Sequence, residues 1–261
     1  MMAAKKPSIS IIVPCYNEAK NITGTVESIN RSMKAVNIFS ASEILIFNDK
    51  STDDTGVVAG ELQKKQKNIK VIHNERNMGF GYNYTEGVRL AEKDYVLMVP
   101  GDNEIPSGAI ENIFRHVGGA DMVIPYTVNP EVRPLPRRII SRAFVILFNA
   151  LFGLSLRYYN GPCVIKASLL KKVPMTTHGF AYMAAILVRL IKSGATYTEV
   201  PIRIQYRESG ASKALRPRNI ISVLTAIAQL FWEVRVSERA YYKASPVRID
   251  GNMSAGRQKP Q

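Results

Sequence analysis

Apolar residues follow two rhythms along the first half of this chain. Apolar runs at Ile9–Val13 (broken only by Ser10), Ile44–Phe47 and Tyr95–Val99 have the pattern of strands buried on both faces. Between Asn21 and Val36, Ile22, Val26, Ile29 and Met33 recur at helical spacing and predict one buried helix side. Asp53 and Asp54 open a second helix to about Lys67, where acidic residues suit the positive helix N-terminus. Asn68–His73 predicts a short strand, Asn77–Gly81 a glycine turn, and the residues up to Glu92 a third helix. Ile110–Val117 predicts a helix and Met122–Tyr126 a strand. Strands separated by helices call for a parallel sheet with right-handed crossovers.

The second half has a different texture. Pro130, Pro134 and Pro136 break the chain, and a long helix is expected over Arg138–Phe152. Arg138, Ser141, Arg142 and Asn149 would share one side of it, the rest being Ile, Leu, Val and Phe. That layout suits a helix lying in a membrane interface; a core helix with one solvated edge is the plainer alternative. Ala181–Lys192 is a further helix, Tyr197–Arg203 a strand, and Asn219–Val236 a second helix with a wide apolar side. Residues 8–236 form one domain, with a donor half at 8–126 and an acceptor and membrane half at 127–236. Residues 237–261 are expected to be a partly disordered tail, polar from Ser245 onward.

Each of the three apolar runs ends in a loop with carboxylates. These are Pro14-Cys15-Tyr16-Asn17-Glu18, Asn48-Asp49-Lys50-Ser51-Thr52-Asp53-Asp54, and Pro100-Gly101-Asp102-Asn103-Glu104. In an open α/β sheet the carboxyl ends of parallel strands lie along one rim, where ligands bind, so these loops should converge. Asp102 and Glu104 are two apart, and in extended chain such side chains point the same way. Both could reach one Mg²⁺ or Mn²⁺ ion, whose remaining ligands would be diphosphate oxygens. A turn with solvated acids explains the pair alone, but not a second acidic strand end at Asp49.

Composition narrows the partners. The 261 residues carry a formal net charge of +14, which calls for a polyanion: nucleic acid, an anionic membrane surface or phosphorylated substrates. Cys15 and Cys163 form no close-spaced pair, so no disulfide framework or zinc site is expected, and a reducing, cytoplasmic setting follows. Met1–Ser8 does not read as a signal peptide. Ile139–Leu156 and Ile220–Trp232 come near a membrane-spanning length, but the first holds Arg142 and Asn149 and the second is too short.

The segment Ile11-Ile12-Val13-Pro14-Cys15-Tyr16-Asn17-Glu18 resembles the opening of family 2 glycosyltransferases of the GT-A fold. Asn48-Asp49-Lys50-Ser51-Thr52-Asp53-Asp54-Thr55 is similar to their Asp-Asp-Gly-Ser-x-Asp-Gly-Thr loop, and Asn77-x-Gly79-x-Gly81 to the glycine turn that follows. Pro100-Gly101-Asp102-Asn103-Glu104 stands in the place of Asp-Ala-Asp-x-Gln. Glu199-Val200-Pro201-Ile202, Arg207-x-x-Gly210-x-Ser212-Lys213 and Ile140-Ser141-Arg142 resemble the dolichol-phosphate mannose synthase subgroup of polyprenyl-phosphate transferases. The likeness spans residues 8 to about 236 in order.

The resemblance implies an α/β fold of GT-A type: a Rossmann-like, mostly parallel sheet flanked by helices, with C-terminal membrane-interface helices. It implies a hexosyltransferase that moves a sugar from a UDP- or GDP-linked donor to a polyprenyl phosphate with inversion, peripheral on the cytoplasmic face of the membrane. Pro14, Tyr16, Glu18 and Asp49 would cradle the nucleotide, with Asp102, Ser212 and Lys213 also on the donor. Asp102 and Glu104 would hold Mg²⁺ or Mn²⁺. Asp102, Arg207 and Lys213 would be catalytic, the last two closing over the phosphates with Ser212. The chain departs from the family pattern at Pro100, where the metal motif has its first aspartate, and at Lys50 in place of glycine. It also has Asn160-Gly161-Pro162-Cys163 in place of Ser-Gly-Phe-Arg, and Ala185 where relatives often carry glutamate.

One observation stands apart from the family. No Asp or Glu occurs between Glu131 and Glu199. Transfer to a sugar hydroxyl calls for a carboxylate base, whereas a phosphate acceptor arrives ionised and calls for cations. Arg133, Arg137, Arg138 and Arg142, with Ser141, are the candidate phosphate ligands. A solvated basic surface is the plainer explanation of those arginines, and His178 the alternative base. Partners expected are the nucleotide sugar, the lipid phosphate and an anionic membrane surface, with no nucleic acid. Two other classes stay open: a transferase with a non-phosphate acceptor, and a catalytically impaired homologue that binds membrane or nucleic acid.

Overall fold

The computed structural model describes residues 6–177, 179–205 and 217–250. Its elements run β1 (Ser8–Cys15), α1 (Ile22–Val36), β2 (Ala41–Asn48), α2 (Thr55–Lys65), β3 (Ile69–His73), α3 (Phe80–Leu90), β4 (Tyr95–Met98), α4 (Ser107–Phe114) and β5 (Met122–Thr127). They continue through α5 (Leu135–Phe152), β6 (Val164–Lys166), α6 (Ala167–Leu170), α7 (Tyr182–Lys192), β7 (Thr196–Ile202), α8 (Pro217–Trp232) and β8 (Val247–Arg248). One eight-stranded sheet has the order β3-β2-β1-β4-β6-β5-β7-β8. All pairings are parallel except those of β6, which runs antiparallel to β4 and β5.

The apolar runs predicted as doubly buried strands are so because helices cover both sides. Ile11 and Val13 of β1 face α1, α2 and α4, whose Val26, Ile29, Ala59, Ile110 and Phe114 complete one core. Ile12, Leu45, Phe47 and Met98 face the other way, against Tyr84 and Val88 of α3, Phe148 and Phe152 of α5, α7, and Ile227 and Leu230 of α8. Successive strand residues alternate faces, so an unbroken apolar run feeds both layers. The expected α/β, mostly parallel sheet with flanking helices is what the chain forms.

Several sequence expectations need correcting. No strand was expected near Val164; β6 exists because the facing edges of β4 and β5 supply its hydrogen bonds, not because three residues carry a period. The helix expected at Ile110–Val117 begins earlier, at Ser107, following Pro106. Pro134 and Pro136 do not break α5 but open it, since a proline in the first turn gives up no intrahelical bond. Within the expected tail, Val247–Arg248 adds an edge strand to β7, and the Arg248 guanidinium bonds Glu199 at 2.9 Å.

The polar side assigned to the long helix also differs. Asn149 turns inward, accepting from the Leu156 N–H at 3.1 Å, donating to the Leu156 carbonyl at 2.9 Å and accepting from the Tyr159 hydroxyl at 2.7 Å. Leu135, Ile139, Ile140, Ile146 and Leu147 of α5 point outward instead, as do Ile221, Leu224, Phe231 and Trp232 of α8. The two helices adjoin, with the Phe152 and Phe231 rings 6.4 Å apart and Arg235 donating to the Leu151 carbonyl at 2.9 Å. Among the described residues no helix is long and apolar enough to cross a membrane.

Candidate active site

The central order β2-β1-β4 brings the three acidic loops side by side. The Asp49 N–H donates to the Cys15 carbonyl at 2.9 Å, and the Gly101 N–H to the Pro14 carbonyl at 3.1 Å. A side chain at Gly101 has no room, because its Cβ would lie 2.4 Å from Cys15 Sγ. The Cys15 thiol marks the meeting point. Burial pushes its pKa well up, and the charges of Glu18, Asp102 and Asp53, one from each loop, push it further.

The first two loops lock together through their own side chains. Asn17 and Lys50 both take left-handed backbone, with φ of 59° and 60°. Lys50 thus adopts the conformation for which the family pattern has glycine. The Asn17 N–H bonds Ser51 Oγ at 3.1 Å, and its side-chain oxygen accepts from the Thr52 N–H at 2.8 Å. Glu18 is buried; its N–H donates to the Thr55 hydroxyl at 2.8 Å and its carboxylate accepts from Asn21 at 2.7 Å. Burial disfavours the charge of Asp53, but hydrogen bonds from the Thr55 hydroxyl and the Thr55 and Ala19 N–H groups outweigh it and hold that carboxyl below its usual range. Pro14 is the last residue but one of β1, and Tyr16, just past the strand, is exposed.

Asp49 does something sequence reasoning did not foresee. Its buried carboxylate accepts from the Met78 N–H at 2.8 Å, the Gly79 N–H at 2.8 Å and the Asn74 side chain at 2.7 Å. These bonds fasten the glycine turn to the end of β2. Asn74, which also donates to Asn83 at 2.7 Å, was missed; no local pattern ties it to Asp49, 25 residues away.

The third loop carries the candidate metal ligands. Asn103, at φ 55°, donates its N–H to Thr25 at 3.1 Å, and the Glu104 N–H caps Asp102 Oδ1 at 3.2 Å. Among the described residues no three His, Cys, Asp or Glu side chains gather around one point. Two carboxylates fit an ion of the magnesium type, which completes its shell with substrate phosphates and water, and do not fit a protein-only cage. Glu104, however, is paired. Arg133 Nη2 and Nε meet its Oε1 at 2.9 and 3.3 Å, and Arg133 Nη1 meets the Tyr158 hydroxyl at 3.0 Å.

Residues 10–181 match the family model for Glycosyl transferase family 2. The chain belongs to this family. This glycosyltransferase is 26% identical to dolichol-phosphate mannosyltransferase of Pyrococcus furiosus over 86% of its own length and 64% of that protein's. It is 27% identical to polyprenol monophosphomannose synthase of Mycolicibacterium smegmatis over 86% of each chain. Its curated relatives are mostly longer, the chain spanning between 38% and 86% of their lengths. A solved glucosyl-3-phosphoglycerate synthase from Mycobacterium tuberculosis, in complex with Mn²⁺, UDP and phosphoglyceric acid, superposes with a TM-score of 0.64. That match covers 86% of this chain and 78% of the other at 16% identity, a likeness of fold alone.

On the far side of the third loop, Arg133, just before α5, is held by Glu104. The Asn129 amide brackets Ile204, with bonds of 2.9 and 3.0 Å, and the Gln205 N–H donates to the Glu104 carbonyl at 2.9 Å. Arg138 and Arg142 are exposed, while Arg137 and Ser141 are half-buried. Glu199, which ends the acid-free stretch, is wholly covered and accepts from the Arg157 N–H and from Arg248. Tyr158 and Asn129 were missed by sequence reasoning, which had no signal for either. Arg207, Ser212, Lys213 and His178 lie outside the described residues.

Proposed function

We propose that this glycosyltransferase moves a sugar from a nucleoside-diphosphate sugar to a polyprenyl phosphate, with inversion, while lying on the cytoplasmic face of a membrane. The observation that carries this reading is the composition of α5. Arg133, just before it, pairs with Glu104 of the carboxylate rim, Arg137, Arg138 and Arg142 follow in its N-terminal turns, and its exposed apolar residues are Leu135, Ile139, Ile140, Ile146 and Leu147. An acceptor with an anionic head and an apolar tail matches that juxtaposition. The names of the Pyrococcus and mycobacterial relatives support it.

In this reading Pro14, Tyr16 and Glu18 receive the nucleoside, and Asp49 acts by holding the glycine turn in place. Asp102 and Glu104 would hold a divalent ion that arrives with the diphosphate; such an ion, when bound, offsets the charge of the leaving group. Arg207, Ser212 and Lys213 would serve the donor phosphates, as the resemblance implies. Arg137, Arg138, Ser141 and Arg142 orient the acceptor phosphate, whose oxygen forms the new bond to the anomeric carbon as the bond to the diphosphate breaks. The electron pair leaves with the nucleoside diphosphate. No general base is called for, because the acceptor is already ionised, and the acid-free stretch supplies none.

The test is a panel of UDP- and GDP-sugars against polyprenyl phosphate, neutral polyprenol and 3-phosphoglycerate. A lipid-linked product from the phosphate alone is expected. Arg142→Ala should raise the KM for the lipid about ten- to a hundredfold, the scale of one charge-assisted bond, with little change for the donor. Equal use of neutral polyprenol, or sugar transfer to the soluble acid only, would overturn the reading.

A further inference from the structure

The Arg133–Glu104 pair joins a candidate acceptor ligand to a candidate metal ligand, so each offsets the charge that the other's assigned role calls for. Their side chains are only 16% and 14% exposed. Both contacts fall on one carboxylate oxygen, and the third arm of the guanidinium is on Tyr158. Burial works against the Arg133 charge, but Tyr158 and Glu104 outweigh it and keep the group protonated. The fold does not call for this pair: the Glu104 loop is already tied by Thr25, and the Asn129 segment by Ile204, with Gln205 joining the two.

We propose that Arg133 couples the two substrates: Glu104 holds it while the donor is absent and would give it up to hold the ion that comes with the donor's diphosphate, and the released guanidinium would then turn, about Tyr158, to the acceptor phosphate. The inference rests on the reading above of donor and acceptor. It makes Arg133 a positioning residue that orders binding, donor first, and so guards the donor against transfer before its complex is assembled. Coupling of this kind is reciprocal, so the acceptor must tighten the donor by the same factor.

The experiment is calorimetric titration of farnesyl phosphate into the whole protein, alone and with UDP or GDP plus Mn²⁺, while electron paramagnetic resonance counts bound Mn²⁺. Farnesyl phosphate should bind about 5- to 150-fold more tightly in the loaded protein, the usual range of coupling between sites. Glu104→Gln should raise its affinity for the unloaded protein and flatten the difference. Arg133→Ala should weaken farnesyl phosphate in the loaded protein and tighten Mn²⁺ with nucleotide, since nothing then competes for Glu104. Simple attraction by the ion would survive Arg133→Ala undiminished, and that result overturns the proposal. Equal affinity with and without nucleotide and Mn²⁺ overturns it too while leaving the lipid-phosphate acceptor intact. Binding of farnesyl phosphate in neither state overturns the acceptor reading and the coupling together.

Discussion

Asp49→Asn separates two roles for a carboxylate at the end of β2. If it anchors the glycine turn, the substitution acts on the folded protein itself. Oδ2 takes the Gly79 N–H at 2.8 Å, while Oδ1 takes the Met78 N–H at 2.8 Å and Asn74 at 2.7 Å. An asparagine can keep the Oδ1 contacts but then sets an NH₂ group against the Gly79 N–H. One charge-assisted bond is lost and one donor is left without an acceptor, together about 2–5 kcal/mol. For a domain of this size that is a fall in Tm of roughly 5–15 °C. Urea unfolding should show a lower midpoint with an unchanged slope. The donor KM should rise as well, because the turn from Asn77 to Gly81 loses its fastening. A variant as stable as the parent that no longer binds nucleotide would refute this reasoning and return the carboxylate to direct contact with the donor.

Further outcomes follow from the same geometry. Asp102→Asn should lower turnover at least about a hundredfold with the fold intact, and full activity in excess EDTA would remove the metal from the scheme. Glu233 pairs with the buried Arg189 at 2.5 Å, and that hydrogen bond holds its carboxyl below the usual range despite burial, with Tyr242 helping. Its folded pKa is lowered, so the stabilisation is complete at neutral pH and fades as pH falls below about 4.5, the ordinary value. Glu233→Gln should therefore lower stability at pH 7 by about 3–5 kcal/mol and flatten its acid dependence in unfolding curves from pH 7 to 3; a parallel shift would refute the linkage. Flotation on anionic vesicles should weaken with salt, each basic side chain near the surface contributing about 1 kcal/mol, and alkaline carbonate should release the protein. Retention after carbonate would mean that a helix spans the bilayer.

Much of residues 8–126 was legible in order along the chain. Buried parallel strands write themselves as runs such as Ile9–Val13, and α1 as Ile22, Val26 and Ile29, because a period is a local property of neighbouring residues. The loops after β1, β2 and β4 follow from the same rule, since the carboxyl ends of parallel strands share one rim. Even the left-handed turn at Lys50 stood where the family pattern places glycine.

Partners were another matter. Sequence placed Asp49, Glu104 and Arg133 at the site but could not say that Asp49 is held by Met78 and Gly79, or that Glu104 and Arg133 hold each other. Nor could it make a strand of Val164–Lys166, or turn Asn149 inward while Ile139 and Ile146 face out. A hydrogen bond or ion pair joins groups many residues apart, and which groups meet depends on the order of strands in the sheet. Local periodicity decides what each segment becomes; the competition among distant edges, donors and charges, settled only when the layers close, decides what each side chain touches.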